Sequence, residues 1–371
     1  DFDHPGFVHT VLVDMRARLR RSDRPNRIFE SVLEVARSAG LVGRKRVLDS
    51  TALYDAVATQ DTVTLIRSAI RGLLRVASEA MAAELRTCLE REDDYVAAGK
   101  PMCDWDDAAA REALVDALAH DAAALLAKLD GRTLEPEVTQ AAQLLATVVG
   151  QDLEQRDDGV FYIARRVAKD RIISTVDPEA RHGHKTSARG FDGYKGHVAI
   201  DPDSEIIVAT EVSPGNASDG SMAEALLMDV LLEAKGPRPV GETEPAQDRE
   251  PSSTAEGSNT EVYGDASYGT ADIVEKLESV GAEANVKVQA PSARADRFSK
   301  DAFVIDLDAQ TVTCPAGILV PIRRSSDGGG MASFASSCST CSLRARCTDS
   351  KVGRSIRIHP QEATLKRSRR R

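Results

Sequence analysis

The sequence predicts an α/β protein in which a mixed β-sheet is flanked by helices. Apolar residues recur at helical spacing through much of the first 150 residues, and short apolar strands alternate with helices after residue 159. The length of 371 residues suits about two or three compact units. No apolar run approaches the length of a membrane span, and the first residues lack the pattern of a secretory signal. We therefore expect a cytoplasmic protein without a membrane partner.

The first 58 residues predict two helices and then a strand. Apolar residues repeat every three to four positions over 7–40, with a break at Ser22–Asn26 and a stop at Gly40. A short apolar strand follows and ends at Asp49, Ser50 and Thr51. We assign 1–43 to an N-terminal helical segment and 44–58 to the first strand of the core.

Residues 59–158 predict an all-helical region inserted after that strand. Segments 61–91, 106–129 and 134–149 are rich in Ala and Leu with a helical period, which is typical of a helix bundle. Cys88 and Cys103 stand alone in this region, and we expect them to be ordinary, partly buried thiols.

Residues 159–300 predict the remainder of the sheet. The pattern indicates, in order, strands over 193–201 and 205–212, a helix over 219–235 and an exposed flexible loop over 236–260. A second unit of a short strand followed by a carboxylate occupies 261–270, and a helix over 271–281 and a strand over 285–291 follow it. The segment 181–189 before the first of these strands is expected to be a loop. His182 and His184 in that segment fit surface residues better than metal ligands.

Two aspartates occupy equivalent places in this pattern. Asp49 and Asp265 each follow a short apolar strand and are followed by small or hydroxyl residues. If the two strands are neighbours in one sheet, the carboxylates converge at one edge, where hard oxygen ligands bind Mg²⁺ or Mn²⁺. A pair of such ions about 3.5–4 Å apart activates an attacking hydroxyl and stabilises the leaving oxygen of a phosphodiester.

Four short motifs occur in a fixed order along the chain, namely Val47–Thr51, Phe191–His197, Val212–Asp219 and Tyr263–Gly269. Together they resemble the DDE transposases of bacterial insertion sequences, over roughly residues 5–360. The resemblance implies a ribonuclease-H-like fold in which Asp49 and Asp265 are the first and second catalytic aspartates. It also implies metal-dependent cleavage of double-stranded DNA at the element's ends, followed by strand transfer into target DNA.

The third acid of that family is a Glu on a helix beyond the cysteines, and the sequence departs from the pattern there. The chain stops at Arg371, and the context of Glu362 does not match the position. The family's N-terminal helical domain is also mostly absent, so we expect a chain truncated at both ends and inactive or impaired alone. Two alternatives stay open: a non-catalytic DNA-binding remnant or regulator of transposition, and a ribonuclease-H-like nuclease with no transposition role.

The region 301–371 is rich in cysteine and basic residues. Cys338-x2-Cys341-x5-Cys347, with Cys314 upstream, offers four thiols for a structural Zn²⁺. An iron–sulfur cluster and unliganded thiols are the alternatives.

The net charge of the whole chain is −10, yet twelve Lys or Arg stand against three Asp or Glu from Val320 to Arg371. This asymmetry indicates contact with a polyanion, although basic tails are also often simply solvated. The candidate phosphate contacts in the Cys-rich region are Arg344, Arg346 and Arg354. Four more candidates precede or begin the strand 193–201: Arg181, Lys185, Arg189 and Lys195. A homo-oligomer is a further candidate partner.

Overall fold

The computed structural model describes residue 6 and residues 8–54, 59–93, 95–186, 189–233, 260–294 and 296–370. The loop predicted over 236–260 lies outside them, apart from residue 260. The chain divides into two compact units. The first unit comprises Asp1–Asp49, His197–Glu211 and Ser218–Arg371, and the second comprises Ser50–Gly196 and Val212–Ala217.

Helices and strands follow one another along the chain mostly in runs of one type. The helices are α1 His9–Arg20, α2 Arg27–Ser38, α3 Thr62–Val76, α4 Glu79–Arg86, α5 Ala108–Leu129, α6 Pro136–Asp152, α7 Ala223–Leu226, α8 Met228–Glu233, α9 Ala271–Ser279 and α10 Glu362–Ser368. The strands are β1 Lys45–Tyr54, β2 Leu153–Gln155, β3 Phe161–Ile163, β4 Arg181–Thr186, β5 Arg189–Asp201, β6 Ile206–Pro214, β7 Glu261–Gly264, β8 Glu283–Val286, β9 Val304–Asp306, β10 Thr311–Thr313, β11 Leu319–Arg324, β12 Gly330–Ser333 and β13 Ser355–Ile358. Among the described helices, none has the length and apolar character needed to cross a bilayer.

Strands of the first unit take part in a six-stranded mixed sheet with the order β4-β5-β1-β7-β8, in which β6 also pairs with β5. β7 pairs in parallel with β1 on one side and with β8 on the other. The buried side chains of Leu48, Val262 and Ala284 come from these three strands, and Leu277 of α9 packs into the same core. The sheet order and its helices are consistent with a ribonuclease-H-like domain, so the predicted mixed α/β class is confirmed.

The second unit contains helices α3 to α6, whose Leu and Ile side chains form a separate core. Leu65, Ile70, Leu118 and Leu125 are fully buried there. Each such burial stabilises the fold by about 1.5–3 kcal/mol. Asp61 begins α3 by accepting a hydrogen bond from the Thr64 amide at 3.0 Å, as an N-cap residue does. The helices predicted over 106–129 and 134–149 are present as α5 and α6.

A five-stranded antiparallel sheet occupies most of the Cys-rich region, in the order β13-β12-β11-β10-β9. Val312, Ala332 and Ile356 are buried between less buried neighbours in three of its strands and form a small core with Phe303 and Phe334. The sequence predicted a metal-binding pattern here but none of these strands.

The segment predicted as a loop over 181–189 is strand β4 for most of its length, paired with β5. The polar sequence of this segment lacks the apolar alternation that would predict a strand. The strand forms because its backbone pairs with the backbone of β5. Gly183 permits that packing, since a Cβ at this position would lie 2.2 Å from the Gly215 carbonyl oxygen.

Two further predictions need correction. The single helix predicted over 219–235 is a 3-10 turn, Asp219–Met222, followed by α7 and α8. Ser218 makes no side-chain cap, and a Cβ at Gly220 would lie only 3.0 Å from the Ser267 carbonyl oxygen, so close packing accompanies the start of this segment. The first strand also continues past Asp49 to Tyr54, although its pairing with β7 stops at Leu48.

Candidate active site

Asp49 and Asp265 occupy corresponding positions on adjacent parallel strands. The last paired residues of β1 and β7 are Leu48 and Gly264, and each aspartate is the next residue in its chain. Neighbouring strands lie about 4.8 Å apart, so the two side chains start from backbones one strand spacing apart. Both aspartates are exposed. The structure therefore brings the two predicted carboxylates to the same edge of one sheet.

The loop after β7 is fixed by its own hydrogen bonds and by close packing. The Asp265 carboxylate accepts a hydrogen bond from the Ser267 amide at 2.8 Å, and its carbonyl accepts one from the Tyr268 amide at 3.2 Å. At Gly269 a Cβ would lie 2.1 Å from the Lys287 carbonyl oxygen, so only glycine fits this approach. The Asp265 side chain consequently stands on a turn with little conformational freedom.

A buried polar pair lies in the same unit and contacts this loop. His197 of β5 and Tyr268 are each 1% exposed, and the His197 Nδ1 lies 3.0 Å from the Tyr268 hydroxyl. Both residues belong to motifs that suggested the resemblance, yet their contact joins motifs about 70 residues apart and was not predicted. The contact ties the loop that carries Asp265 to β5, since buried polar groups need hydrogen-bond partners.

The part of the chain that the structure describes contains no group of three or more His, Cys, Asp or Glu side chains arranged to hold a metal ion. Glu362 at the start of α10 is 2% exposed, forms an ion pair with Lys300 and accepts a hydrogen bond from the His359 amide at 2.9 Å. Its carboxylate therefore anchors α10. Two carboxylates still fit Mg²⁺, which is commonly bound through one or two carboxylates, water and substrate phosphates.

The basic candidates before and on β5 all lie in the second unit. Lys185 and Arg189 are exposed. The Arg181 guanidinium donates to the carbonyl oxygens of Pro178 and Ala180, and the Lys195 ammonium donates to the Ala217 carbonyl oxygen at 2.8 Å.

The basic candidates in the Cys-rich region make contacts inside that region. Arg344 donates to the carbonyl oxygens of Cys338 and Ser350 at 3.2 and 3.1 Å. The Arg346 guanidinium lies 4.8 Å from the centre of the Phe298 ring. Arg354 donates to the carbonyl oxygens of Cys347 and Phe298. Arg344 and Arg354 thus hold the loops that carry the cysteines.

The four cysteines Cys314, Cys338, Cys341 and Cys347 line one small cavity and are all free thiols. The Cys338 sulfur accepts a hydrogen bond from the Arg354 amide at 3.4 Å. Burial raises the pKa of the Cys347 thiol, and the three neighbouring thiols add to the effect against an opposing contribution from Arg354. The structure thus gathers the thiols around one point, although no three of them meet the geometry of a metal site.

Residues 164–325 match the family model of the transposase DDE domain. This stretch, which is less than half of the chain, is therefore similar to transposase DDE domains. Asp265 and Cys314 lie inside the matched residues of this domain, whereas Asp49 precedes them and the other three cysteines follow them. Neither the search of curated proteins nor that of solved structures gave a match. Transposases of this family act on DNA and generally use divalent metal ions.

Proposed function

We propose that this chain descends from a transposase that cuts DNA at the ends of an insertion sequence and joins those ends to target DNA. In this proposal Asp49 and Asp265 are the metal-ligating catalytic aspartates, and Mg²⁺ or Mn²⁺ is the cofactor. The observation that carries it is the pairing of Leu48 with Gly264, which puts two exposed carboxylates one strand spacing apart.

Each residue of the site has a separate task in this proposal. Asp49 and Asp265 supply the anionic oxygens that bind a divalent ion and orient it toward a phosphodiester. Such ions activate a water or a 3′-hydroxyl and stabilise the leaving oxygen. The turn at Ser267 and the buried contact between His197 and Tyr268 hold the Asp265 side chain in place. Holding a ligand within about 0.5 Å of its working position is what such supporting contacts contribute.

We propose further that the polypeptide alone is inactive or severely impaired, because two carboxylates leave one ion of a two-ion site short of a ligand. The alternative is a chain that binds DNA without cutting it and regulates transposition by occupying ends or mixed multimers. The observation that favours this alternative is the engagement of Glu362 by Lys300, which leaves that carboxylate committed to the fold.

The metal site is tested by titrating Mn²⁺ into the full chain and following the loss of the free-ion electron paramagnetic resonance signal. Asp49→Asn and Asp265→Asn should each weaken binding at least about tenfold, as losing a direct ligand does. Glu283→Gln is the matched control, because Glu283 is exposed at the opposite end of the neighbouring strand β8. Equal Mn²⁺ affinity in all four proteins would reject the site.

A DNA-cleavage assay distinguishes the three proposed functions, namely a transposase, a DNA-binding regulator and a general nuclease. The full chain is incubated with supercoiled plasmid and Mn²⁺, and its DNA affinity is measured in parallel at several salt concentrations. Salt-sensitive binding without nicking supports the regulator. Robust nicking that Asp49→Asn abolishes supports the enzyme and rejects the proposed impairment. Nicking without preference for particular DNA ends supports a general nuclease.

We also propose a structural zinc ion bound by Cys314, Cys338, Cys341 and Cys347. Its support is the convergence of four free thiols on one cavity in a region with a small core. Metal content is measured by mass spectrometry on freshly purified, reduced protein, with Cys341→Ser as the test and Cys88→Ser as the control. One equivalent of zinc in the wild type and the control, lost in Cys341→Ser, supports the site. Less than half an equivalent in the wild type rejects it.

The proposed DNA substrate also leads to proposals for the phosphate-contacting residues, the oligomeric state and the cellular location. Arg181, Lys185, Arg189, Lys195, Arg344 and Arg346 are proposed to contact phosphates. A homo-oligomer and a cytoplasmic location belong to the same proposal, since paired DNA ends need paired subunits and the substrate is cellular DNA.

A further inference from the structure

A cleft of about 620 Å³ opens in the second unit. Its volume lies within the range of about 300–1,000 Å³ that ligand sites have. The segment 163–173 forms much of its wall. The remaining lining residues are Thr59, Thr62, Asp152, Arg181, His182, Asp192 and Asn216.

The charges that line this cleft are mostly positive. Four permanent cations, Arg166, Lys169, Arg171 and Arg181, face two carboxylates. One carboxylate, Asp152, forms an ion pair with Arg171 and accepts a hydrogen bond from Thr62. This pairing leaves three cations against one carboxylate.

The second carboxylate, Asp192, is also engaged. It accepts hydrogen bonds from the Thr59 hydroxyl and from the His182 Nδ1 at 2.7 Å. Burial alone would raise the pKa of Asp192, but these two hydrogen bonds lower it, so the group stays ionised. Because its oxygens accept hydrogen bonds from neighbours, Asp192 opposes an anionic ligand less than an unengaged carboxylate would.

Arg166 and Lys169 are exposed and have no ion-pair partner among the residues that the structure describes. The segment that carries Lys169 is held in place, because the Asn216 side chain donates to the Lys169 carbonyl oxygen and to the Asp170 carboxylate at 3.3 and 2.9 Å. Two uncompensated cations on a held segment are typical of a site that receives an anion.

Apolar side chains lie beside these cations. Val167 is 81% exposed and Ile163 is 47% exposed, and both line the cleft. Exposed apolar groups beside unpaired cations match a nucleotide unit, which carries an anionic phosphate on an apolar sugar and base face. A small inorganic anion would leave Val167 and Ile163 without a contact.

We propose that this cleft binds the phosphodiester backbone of a DNA strand. Arg166, Lys169 and Arg181 contact phosphates, and Val167 and Ile163 contact the sugar–base face. The inference rests on the proposed DNA substrate but not on Asp49, Asp265 or any cleavage step. It adds a DNA-binding surface formed by residues of the second unit.

The test measures the affinity of the full chain for a labelled 20-base-pair duplex by fluorescence anisotropy between about 50 and 200 mM NaCl. Arg166→Glu/Lys169→Glu should weaken binding on the order of 10- to 100-fold and lower the log–log salt slope by about 2, or about 1 per lost phosphate contact. Val167→Ser should weaken binding less and leave the slope unchanged, because it removes no charge.

Arg75→Glu/Arg111→Glu is the matched control, since both residues are exposed on helices of the same unit and lie outside the cleft. Its slope should stay near the wild-type value, and circular dichroism confirms folding of each variant. Equal losses in the cleft variant and the control would overturn the inference. The inference would also be overturned if the cleft variant bound inorganic pyrophosphate more weakly than the wild type but bound the duplex with unchanged affinity. A wild-type chain that binds no DNA would instead overturn the proposed function.

Discussion

Two pairs of aspartates, one pair in each unit, occupy opposite environments. In the second unit Asp93 and Asp121 are packed against partners, and the Asp121 carboxylate accepts hydrogen bonds from the Tyr95 hydroxyl at 2.5 Å and the Glu90 amide at 2.7 Å. In the first unit Asp49 and Asp265 are exposed at the edge of a sheet. Asp93 and Asp121 are therefore packed inside the fold, whereas Asp49 and Asp265 lie at its surface.

This difference in exposure indicates that the aspartates that stabilise the fold are not the aspartates proposed to bind metal. Burying an ionised group costs several kcal/mol unless partners compensate it, so Asp93 and Asp121 of the second unit are held in hydrogen bonds and an ion pair. Around Asp265 the packing comes instead from neutral groups, namely Gly264, Gly269 and Tyr268. Substitutions in the two places should have opposite consequences for stability and metal binding.

The largest loss of stability is expected at Arg67, whose guanidinium forms an ion pair with Asp93 while both side chains are nearly buried. Arg67→Met should lower the free energy of unfolding by about 3–5 kcal/mol, because it leaves a carboxylate buried without its cation. Urea denaturation measures this change. Arg75→Met on the same helix is the control and should stay within about 0.5 kcal/mol of the wild type. A loss below about 1 kcal/mol for Arg67→Met would contradict the comparison.

The same substitution, Tyr to Phe, can be made in each unit and its effect on the free energy of unfolding compared. Tyr95→Phe removes a hydroxyl that donates to a buried carboxylate and should cost about 1.5–3 kcal/mol. Tyr268→Phe removes a hydroxyl that contacts the His197 imidazole and should cost about 0.5–1.5 kcal/mol. Both losses are measured by denaturant unfolding of the full chain. A larger loss of unfolding free energy in Tyr268→Phe than in Tyr95→Phe would show that the charge of the hydroxyl's partner does not determine the loss.

Lowering the pH should remove the contribution of ionised Asp93 to the free energy of unfolding. The hydrogen bond from Arg67 holds the pKa of Asp93 below its usual value, so the ionised form is favoured in the folded chain. Its stabilisation is present above the unfolded pKa of about 3.9 and is lost as the pH falls through the lower folded value. The gap in unfolding free energy between wild type and Asp93→Asn should therefore narrow from pH 6 toward pH 3. A constant gap across that range would contradict this assignment.

The smallest effect on stability is expected at the sheet edge. Asp49→Asn and Asp265→Asn should each change the free energy of unfolding by no more than about 0.5 kcal/mol, because both positions are exposed. Thermal or urea unfolding without added metal measures this. A loss above about 2 kcal/mol in either variant would assign that aspartate to the fold and weaken its role as a metal ligand.

The sequence predicted the elements whose pattern is local. The helical period gave α5 and α6, and the strand-then-aspartate pattern located both carboxylates. It did not give β4, whose polar residues form a strand only through pairing with β5, nor the sheet of the Cys-rich region. It also missed the contact between His197 and Tyr268, since nothing in either motif specifies the other as a partner.

By itself the sequence predicted the candidate residues: two aspartates after apolar strands, a set of four thiols, and a basic end on an acidic chain. Periodicity and residue type are local properties, so they can be read along the chain. Only the tertiary structure decided that β1 and β7 are parallel neighbours, which places Asp49 beside Asp265. It also decided that Arg166, Lys169 and Val167 share one cleft. Strand neighbours and cleft walls depend on which distant surfaces bury each other, and that is fixed only when the whole core forms.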